Sequence, residues 1–359
     1  NPLTLICSKK EDGSTNLAPI CFVSYLSFNP PMVGFATGKQ SHTGKQVRET
    51  GKVIVTIPGE SLAQVVMACG GSTGAQVNKV AANHIEMKAV VYYAANDIRV
   101  EDRPAPQLND NNMIAKVKCC ALCGTDLKIW TAGNPRCHPP RILGHEMIAG
   151  IEQVGKNVKG FSPGEKITFA TTIACNDCAY CAAGLQNVCP NSKPISYDFD
   201  GGLAEYIEVP AEAIAGGNVI KLAEDIGEEA ALCEPLSCAI NSQEIVGVKE
   251  GDFVLVTGGG PLGAMQALLA KANGAKRVAL VGSSAARLKL LDGLEGVELI
   301  DGSTTDVEKW IFGETNGLGA DVVIVCAPVK SAMENALNYA RKGGGISYFA
   351  SLPSGKSEL

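Results

Sequence analysis

The chain has 359 residues, enough for two or three domains, and its 46% apolar and 19% charged content can build proper cores and excludes a disordered protein. A net charge of −6 and a pI near 5.4 give a nucleic-acid partner no electrostatic support, and the lack of any apolar run of about eighteen residues predicts neither a transmembrane helix nor a membrane partner. The 14 cysteines are clustered rather than spread, which in a chain of this size reads as metal binding in a reducing compartment, hence a cytoplasmic location.

Residues 1–80 carry the short apolar runs TLICS, ICFVSYLSF, PMVGFAT and KVIVTIP, each predicted as a strand between the turn signals KKEDGSTN, NPP and RETG. SHTGKQVRETG has a Ser or Thr start, helical spacing and a Gly stop, and predicts a helix. This is the pattern of part of an all-β barrel. The texture changes at Met87: MKAVVYY and IRVEDRP predict a hairpin, NMIAKVKCCAL a further strand, and a strand-and-loop region runs to about Val209. From Gly251 the strands DFVLVTG, RVALVGS, ADVVIVCAP and GGGISYFAS alternate with the helices GAMQALLAKANG and ARLKLLDGL, as in a parallel, doubly wound sheet. There is no internal repeat.

VTGGGPLG sets Gly258, Gly260 and Gly263 in a G-x-G-x-x-G frame between a strand and a helix. The first Gly suits the tight turn, the second the approach of a pyrophosphate, and the third the packing of helix on strand. Pro261 and Leu262 then open the helix, whose N-terminus faces the phosphates. An NAD site should carry an acid at the end of the following strand, but Gly282, Ser283 and Ser284 stand there, with Arg287 beyond. Hydroxyls and an Arg suit the 2′-phosphate of NADP, although Arg287 also reads as a solvated helix residue.

CNDCAYCAAGLQNVC spaces Cys175, Cys178, Cys181 and Cys189 as C-x2-C-x2-C-x7-C, four thiolates able to close a structural zinc tetrahedron. The rival is an iron–sulfur cluster, echoed in the final Cys189-Pro190, but that motif has three residues before its last Cys. CCALCGTDLKIW and PPRILGHEMIAGIEQVG supply Cys123, His145 and the carboxylate of Glu146, a set that leaves one zinc position open for a substrate.

Residues 87–359 resemble the zinc-dependent medium-chain alcohol dehydrogenases, in the branch containing polyol (sorbitol or iditol) and threonine dehydrogenases. The resemblance rests on CGTDLKIW, PPRILGHE, FSPGEK at Phe161–Lys166, the four-cysteine lobe, GGLAEYIEVP, ALCEPLSCAI and VTGGGPLG, in the family's order. It implies a GroES-like β-rich catalytic domain at 87–237, joined to an α/β Rossmann NAD(P)-binding domain at 238–359. It further implies catalytic zinc on Cys123, His145 and Glu146, with Glu234 of CEPL as ligand or water-mediated neighbour, and Thr125 as the first group of a proton relay. Lys128 stands where threonine-type members often have a His, and a Lys titrates higher unless desolvated. The implied reaction is hydride transfer from the CH–OH group of a small alcohol or polyol to NAD(P), with two Zn2+ per chain.

Residues 1–82 resemble the opening half of a flavin-reductase-like, FMN-binding split barrel, through NLAP, NPPMV and the stretch from Ser41 to VRETG. The resemblance implies flavin contacts around Asn16–Ser24 and Ser41–Thr43, so FMN is expected in residues 1–80 on equal terms with a remnant that binds nothing. After GGGISYFAS the dehydrogenase family continues with a further Rossmann strand, so a C-terminally incomplete domain is expected; that last part of the sheet often carries the family's homo-oligomer contacts. Met87 falls where a dehydrogenase would start, which suggests a gene fragment or merged reading frame beside natural fusion. The expected activity is a zinc-dependent alcohol or polyol dehydrogenase. The alternatives are a flavin reductase-type redox protein using NAD(P)H and an inactive zinc-stabilised fragment.

Overall fold

The computed structural model describes residues 4–9, 15–20, 23–28, 31–35, 41–50, 54–56 and 86–352, the strands before residue 57 as backbone only. The chain divides into two units, Asn1–Leu232 and Cys233–Leu359.

In the front of the first unit, β1 (Thr4–Lys9) pairs antiparallel with β2 (Thr15–Ile20), β3 (Val23–Phe28) pairs with β4 (Pro31–Phe35), and β5 (Ile54–Thr56) joins the other edge of β1. The helix His42–Thr50 forms where the sequence places it. ICFVSYLSF is not one strand: β2 ends at Ile20 and β3 begins at Val23. Thr15 and Asn16, expected in a turn, are strand residues because each has a ladder partner on β1, and pairing overrides local turn preference. The side chains of Asn16–Ser24, named for flavin contact, lie outside the described residues; Thr43 is buried.

β6 (Glu86–Ala94) and β7 (Asp97–Pro104) form the expected hairpin, turning at Asn96 with φ 63°. The GroES-like core is an antiparallel sheet made of β8 (Met113–Ala121), β10 (Glu146–Val154), β11 (Lys166–Phe169), β14 (Tyr206–Val209) and β15 (Val219–Lys221), in the order β14-β8-β10-β11-β15. Between β8 and β10, the short β9 (Arg141–Ile142) pairs with β6, and between β11 and β14 the short β12 (Thr172–Ile173) pairs antiparallel with β13 (Lys193–Pro194). Strand periodicity puts Met113 and Ala115 of β8, and Met147, Ala149 and Ile151 of β10, into one apolar cluster. The opposite direction of the β8 and β10 ends, with Glu146 paired to Ala121, brings the residues just after β8 beside those just before β10. This pairing is what assembles the metal-ligand candidates from two distant sequence segments.

The second unit is a parallel sheet of β16 (Phe253–Thr257), β17 (Arg277–Gly282), β18 (Glu298–Asp301), β19 (Ala320–Val325) and β20 (Ala340–Tyr348), in the order β18-β17-β16-β19-β20. That order runs outward on both sides from the first strand, as in the Rossmann arrangement. β16 is buried at every residue because helices cover both faces. Leu255, Val323 and Val325 pack with Ile311 and Met333 on one side, and Val254, Val256 and Ile324 with Ala267 and Leu288 on the other. β18 and the helices Val307–Glu314 and Lys330–Tyr339 are additions to the sequence reading. The expected helix ARLKLLDGL closes after Ala285–Lys289, since Leu290 points to solvent and Gly293 turns at φ 101°.

Candidate active site

The glycine loop joins β16 to the helix Pro261–Ala272. Gly258 has φ 119°, a backbone state in which a side chain is strained, and its N–H donates to the Val281 carbonyl at 2.8 Å. A Cβ on Gly263 would sit 1.9 Å from the Gly258 carbonyl oxygen, so helix and loop approach as closely as only glycine permits. Gly260 differs: a Cβ there would meet nothing within 4 Å. It is the N-cap, with Pro261 at the first helical position and Leu262 exposed beside it. The loop therefore offers backbone N–H groups and a helix N-terminus to open space, the arrangement that receives a phosphate. At the tip of β17, the Ser284 side chain caps the next helix by accepting the Arg287 N–H, while Ser283 and Arg287 are exposed.

The four cysteines of the lobe converge. Sγ separations are 3.4 Å for Cys189–Cys175, 3.5 Å for Cys178–Cys181, and 3.9 Å for Cys175–Cys181 and Cys178–Cys189. A tetrahedron with zinc–sulfur bonds of about 2.3 Å has edges of roughly 3.8 Å, so the residues fit one zinc ion with no open position. The Cys175 N–H, aimed at the Cys189 sulfur, is the main influence drawing that thiol down to about 7. Burial pushes Cys181 up to about 12.

Cys123 precedes the helix Gly124–Ala132, and His145 and Glu146 lie at the start of β10. One ligand atom from each of the three lies within 4.8 Å of the others. Of the neighbouring thiols Cys119, Cys120 and Cys123, Cys123 alone joins this group among the described residues. Behind it stands Asp126, buried at 4% exposure. Its Oδ2 accepts the Cys123 N–H at 3.0 Å, its Oδ1 accepts the Gly144 N–H at 3.3 Å, and Oδ1 is 3.5 Å from His145 Nδ1. With Nδ1 turned to Asp126, Nε2 is the nitrogen left for a metal. Burial acts to lower the His145 pKa, but Asp126 and Cys123 outweigh it and raise it to about 10. A thiol, an imidazole and a carboxylate fit zinc, and metal entry must displace the proton they hold in its absence.

Thr125, half-buried, lies in the first turn of the same helix, with Lys128 three residues on along the same face. Glu234 opens the helix Cys233–Val246 of the second unit and accepts the Cys238 thiol at 3.8 Å. The sequence reading passed over Asp126, although its place three residues after a candidate ligand at a helix start is a visible signal.

Fold and side-chain clusters together define a nicotinamide-dependent dehydrogenase with a GroES-like domain and two groups of residues that fit zinc. The family profile described as "Alcohol dehydrogenase GroES-like domain" matches residues 109–219, and "Zinc-binding dehydrogenase" matches 261–359. The chain is 31% identical to the L-galactonate-5-dehydrogenase of Escherichia coli K12 over 260 residues, covering 72% of this chain and 75% of the relative. It is 33% identical to the L-threonine 3-dehydrogenase of Bacillus licheniformis, covering 70% and 71%, and 31% identical to the sorbitol dehydrogenase of Halalkalibacterium halodurans, covering 72% and 75%. Among solved structures, a protein of Sinorhizobium meliloti 1021 described as a zinc-binding dehydrogenase bound to NADP superposes with a TM-score of 0.70 at 32% identity, covering 76% of this chain and 80% of that one. The chain belongs to the zinc-dependent medium-chain alcohol/polyol dehydrogenase family, and its cofactors are zinc and NAD(P). A "Flavin reductase like domain" profile also matches residues 1–119, overlapping the GroES-like match from residue 109.

Proposed function

We propose that the chain oxidises a secondary alcohol or polyol at a site made by Cys123, His145 and Glu146, passing hydride to NADP. The convergence of these three ligand atoms within 4.8 Å carries the reading, since three protein ligands leave one tetrahedral position for substrate. Zinc held there supplies Lewis acidity that lowers the pKa of the substrate hydroxyl. Asp126 accepts the Cys123 N–H and faces His145 Nδ1 at 3.5 Å, which orients the ring. The Thr125 hydroxyl takes the proton leaving the substrate and hands it outward along the helix face toward Lys128. Bound NADP would supply the hydride acceptor for the alcohol carbon, whose oxidation product would be a carbonyl. Gly258, Gly260 and Gly263, with Pro261 and Leu262, hold the pyrophosphate at the helix N-terminus. Ser283 and Arg287 bind the 2′-phosphate, and the family resemblance assigns Glu234 as a ligand or water-mediated neighbour of the metal.

This reading divides the chain into a flavin-reductase-like half barrel at 1–82, the GroES-like domain at 87–237 and the Rossmann domain at 238–359. Eleven free cysteines among the described residues support the reducing environment of the cytoplasm. Rates of NAD and NADP reduction across polyols, threonine and simple secondary alcohols test the reading. Faster turnover with NADP on at least one polyol is the expected result. Preference for NAD defeats the 2′-phosphate assignment, and no turnover with any alcohol defeats the reading itself.

A further inference from the structure

Four non-glycine residues among those described have positive φ: Asn96, Asn176, Asn316 and Ser196. Asn enters this region readily because its short amide bonds locally, whereas Ser has no such ease. Ser196 sits at φ 72° and is 0% exposed. A buried residue keeps a strained backbone only where its surroundings over-determine it. Here the surroundings lead straight to the metal ligands. The Ser196 hydroxyl donates to the Gly144 carbonyl at 2.8 Å, across 52 residues of sequence. The Gly202 N–H donates to that same oxygen at 2.8 Å, so both of its lone pairs are engaged. On the other side of the residue, the Gly144 N–H donates to Asp126 Oδ1. Gly144 itself has φ 93°, and a Cβ there would lie 2.6 Å from Leu203 Cγ and 2.8 Å from Cys120 Sγ. The peptide that carries His145 is thus gripped at its carbonyl, at the preceding N–H and by close packing.

We infer that Ser196 is a positioning residue for the catalytic metal: its strained backbone delivers a hydroxyl that fixes the Gly144–His145 peptide, and so the direction of the imidazole. Rotating Ser196 to a relaxed φ would carry the hydroxyl off the Gly144 carbonyl. Strain and hydrogen bond are therefore two sides of one arrangement. The inference rests on the reading of Cys123, His145 and Glu146 as a zinc site.

The test uses the full chain and the variants Ser196→Gly and Ser196→Ala. Three quantities are read: zinc retained at each site against a graded chelator, the visible spectrum of cobalt(II) placed at the catalytic site, and the melting temperature. Gly removes the hydroxyl and the strain together, so Ser196→Gly should melt at or above the wild-type temperature while holding catalytic-site metal about tenfold more weakly, with the four-cysteine zinc unchanged. Ser196→Ala should weaken the same metal but melt lower, because it keeps the strain and loses the hydrogen bond that offsets it. Both should shift the cobalt spectrum, which a purely structural serine would leave alone. Wild-type metal affinity and spectrum in Ser196→Gly overturn the inference. Parallel loss of both metals with a lowered melting temperature overturns it too, as a folding effect. A wild-type chain that holds one metal equivalent overturns the zinc-site reading, and the inference with it.

Discussion

At the scale of single residues, the proposed metal site depends on one buried carboxylate, Asp126. Asp126 holds the Cys123 N–H and the Gly144 N–H and faces the His145 ring, so one buried side chain aligns two of the three ligands. Replacing it by Asn keeps the volume but removes the charge facing the imidazole. Asp126→Asn should weaken catalytic-site zinc by about 10–100-fold, measured by chelator competition with the four-cysteine zinc as internal reference. Zinc binding as tight as in the wild type would show that His145 needs no such partner. Cys123→Ser removes the ligand itself. It should abolish alcohol oxidation while leaving NADPH binding, followed by fluorescence, as in the wild type, and surviving turnover would remove Cys123 from the metal set.

At the scale of elements, the glycine loop separates a residue that the fold needs from one that the ligand needs. Gly263→Ala would drive a Cβ against the Gly258 carbonyl and should lower the melting temperature as well as dinucleotide affinity. Gly260→Ala meets open space, so it should melt like the wild type and raise the KM for NADP alone. Matching losses of stability in both variants would contradict this division. At one edge of the sheet in the same unit, Arg277 of β17 grips Glu298 of the edge strand β18 through two bonds, Nε–Oε1 at 2.6 Å and Nη2–Oε2 at 2.7 Å. The guanidinium also reaches Glu314 and lies over the rings of Phe253 and Trp310. Arg277 holds the Glu298 pKa below its ordinary value. The stability this contributes is present above the unfolded-state pKa and is lost as pH falls through the lower folded-state value. Glu298→Gln should therefore lower the melting temperature near neutrality and flatten its decline into acid; an acid limb as steep as the wild type's would show that the pair does not contribute.

At the scale of the whole molecule, what the sequence made legible is what local spacing encodes. The four cysteines lie close along the chain, and the three glycines fall on one strand–turn–helix, so composition and interval alone single out both groups of residues. Cys123, His145 and Glu146 stand in two separate segments whose single motifs are weak, and their grouping gained weight from the family resemblance, because β8–β10 pairing is what joins them. The contact between Ser196 and Gly144 spans 52 residues and leaves no local pattern. β18 escaped for a different reason: ELID is four residues long with no fully buried position, too short for its period to show. Thr15 and Asn16 look like turn residues and are held in a strand by their partners on β1.

The account stands most directly on one measurement: the rate of NADP reduction followed against zinc released as a chelator strips the intact protein. The chain should begin with two zinc equivalents, and activity should fall to zero as the ion held by only three protein ligands leaves first, with the four-cysteine ion still bound. Turnover that survives the loss of that first equivalent, or a chain that starts with a single zinc, would contradict it.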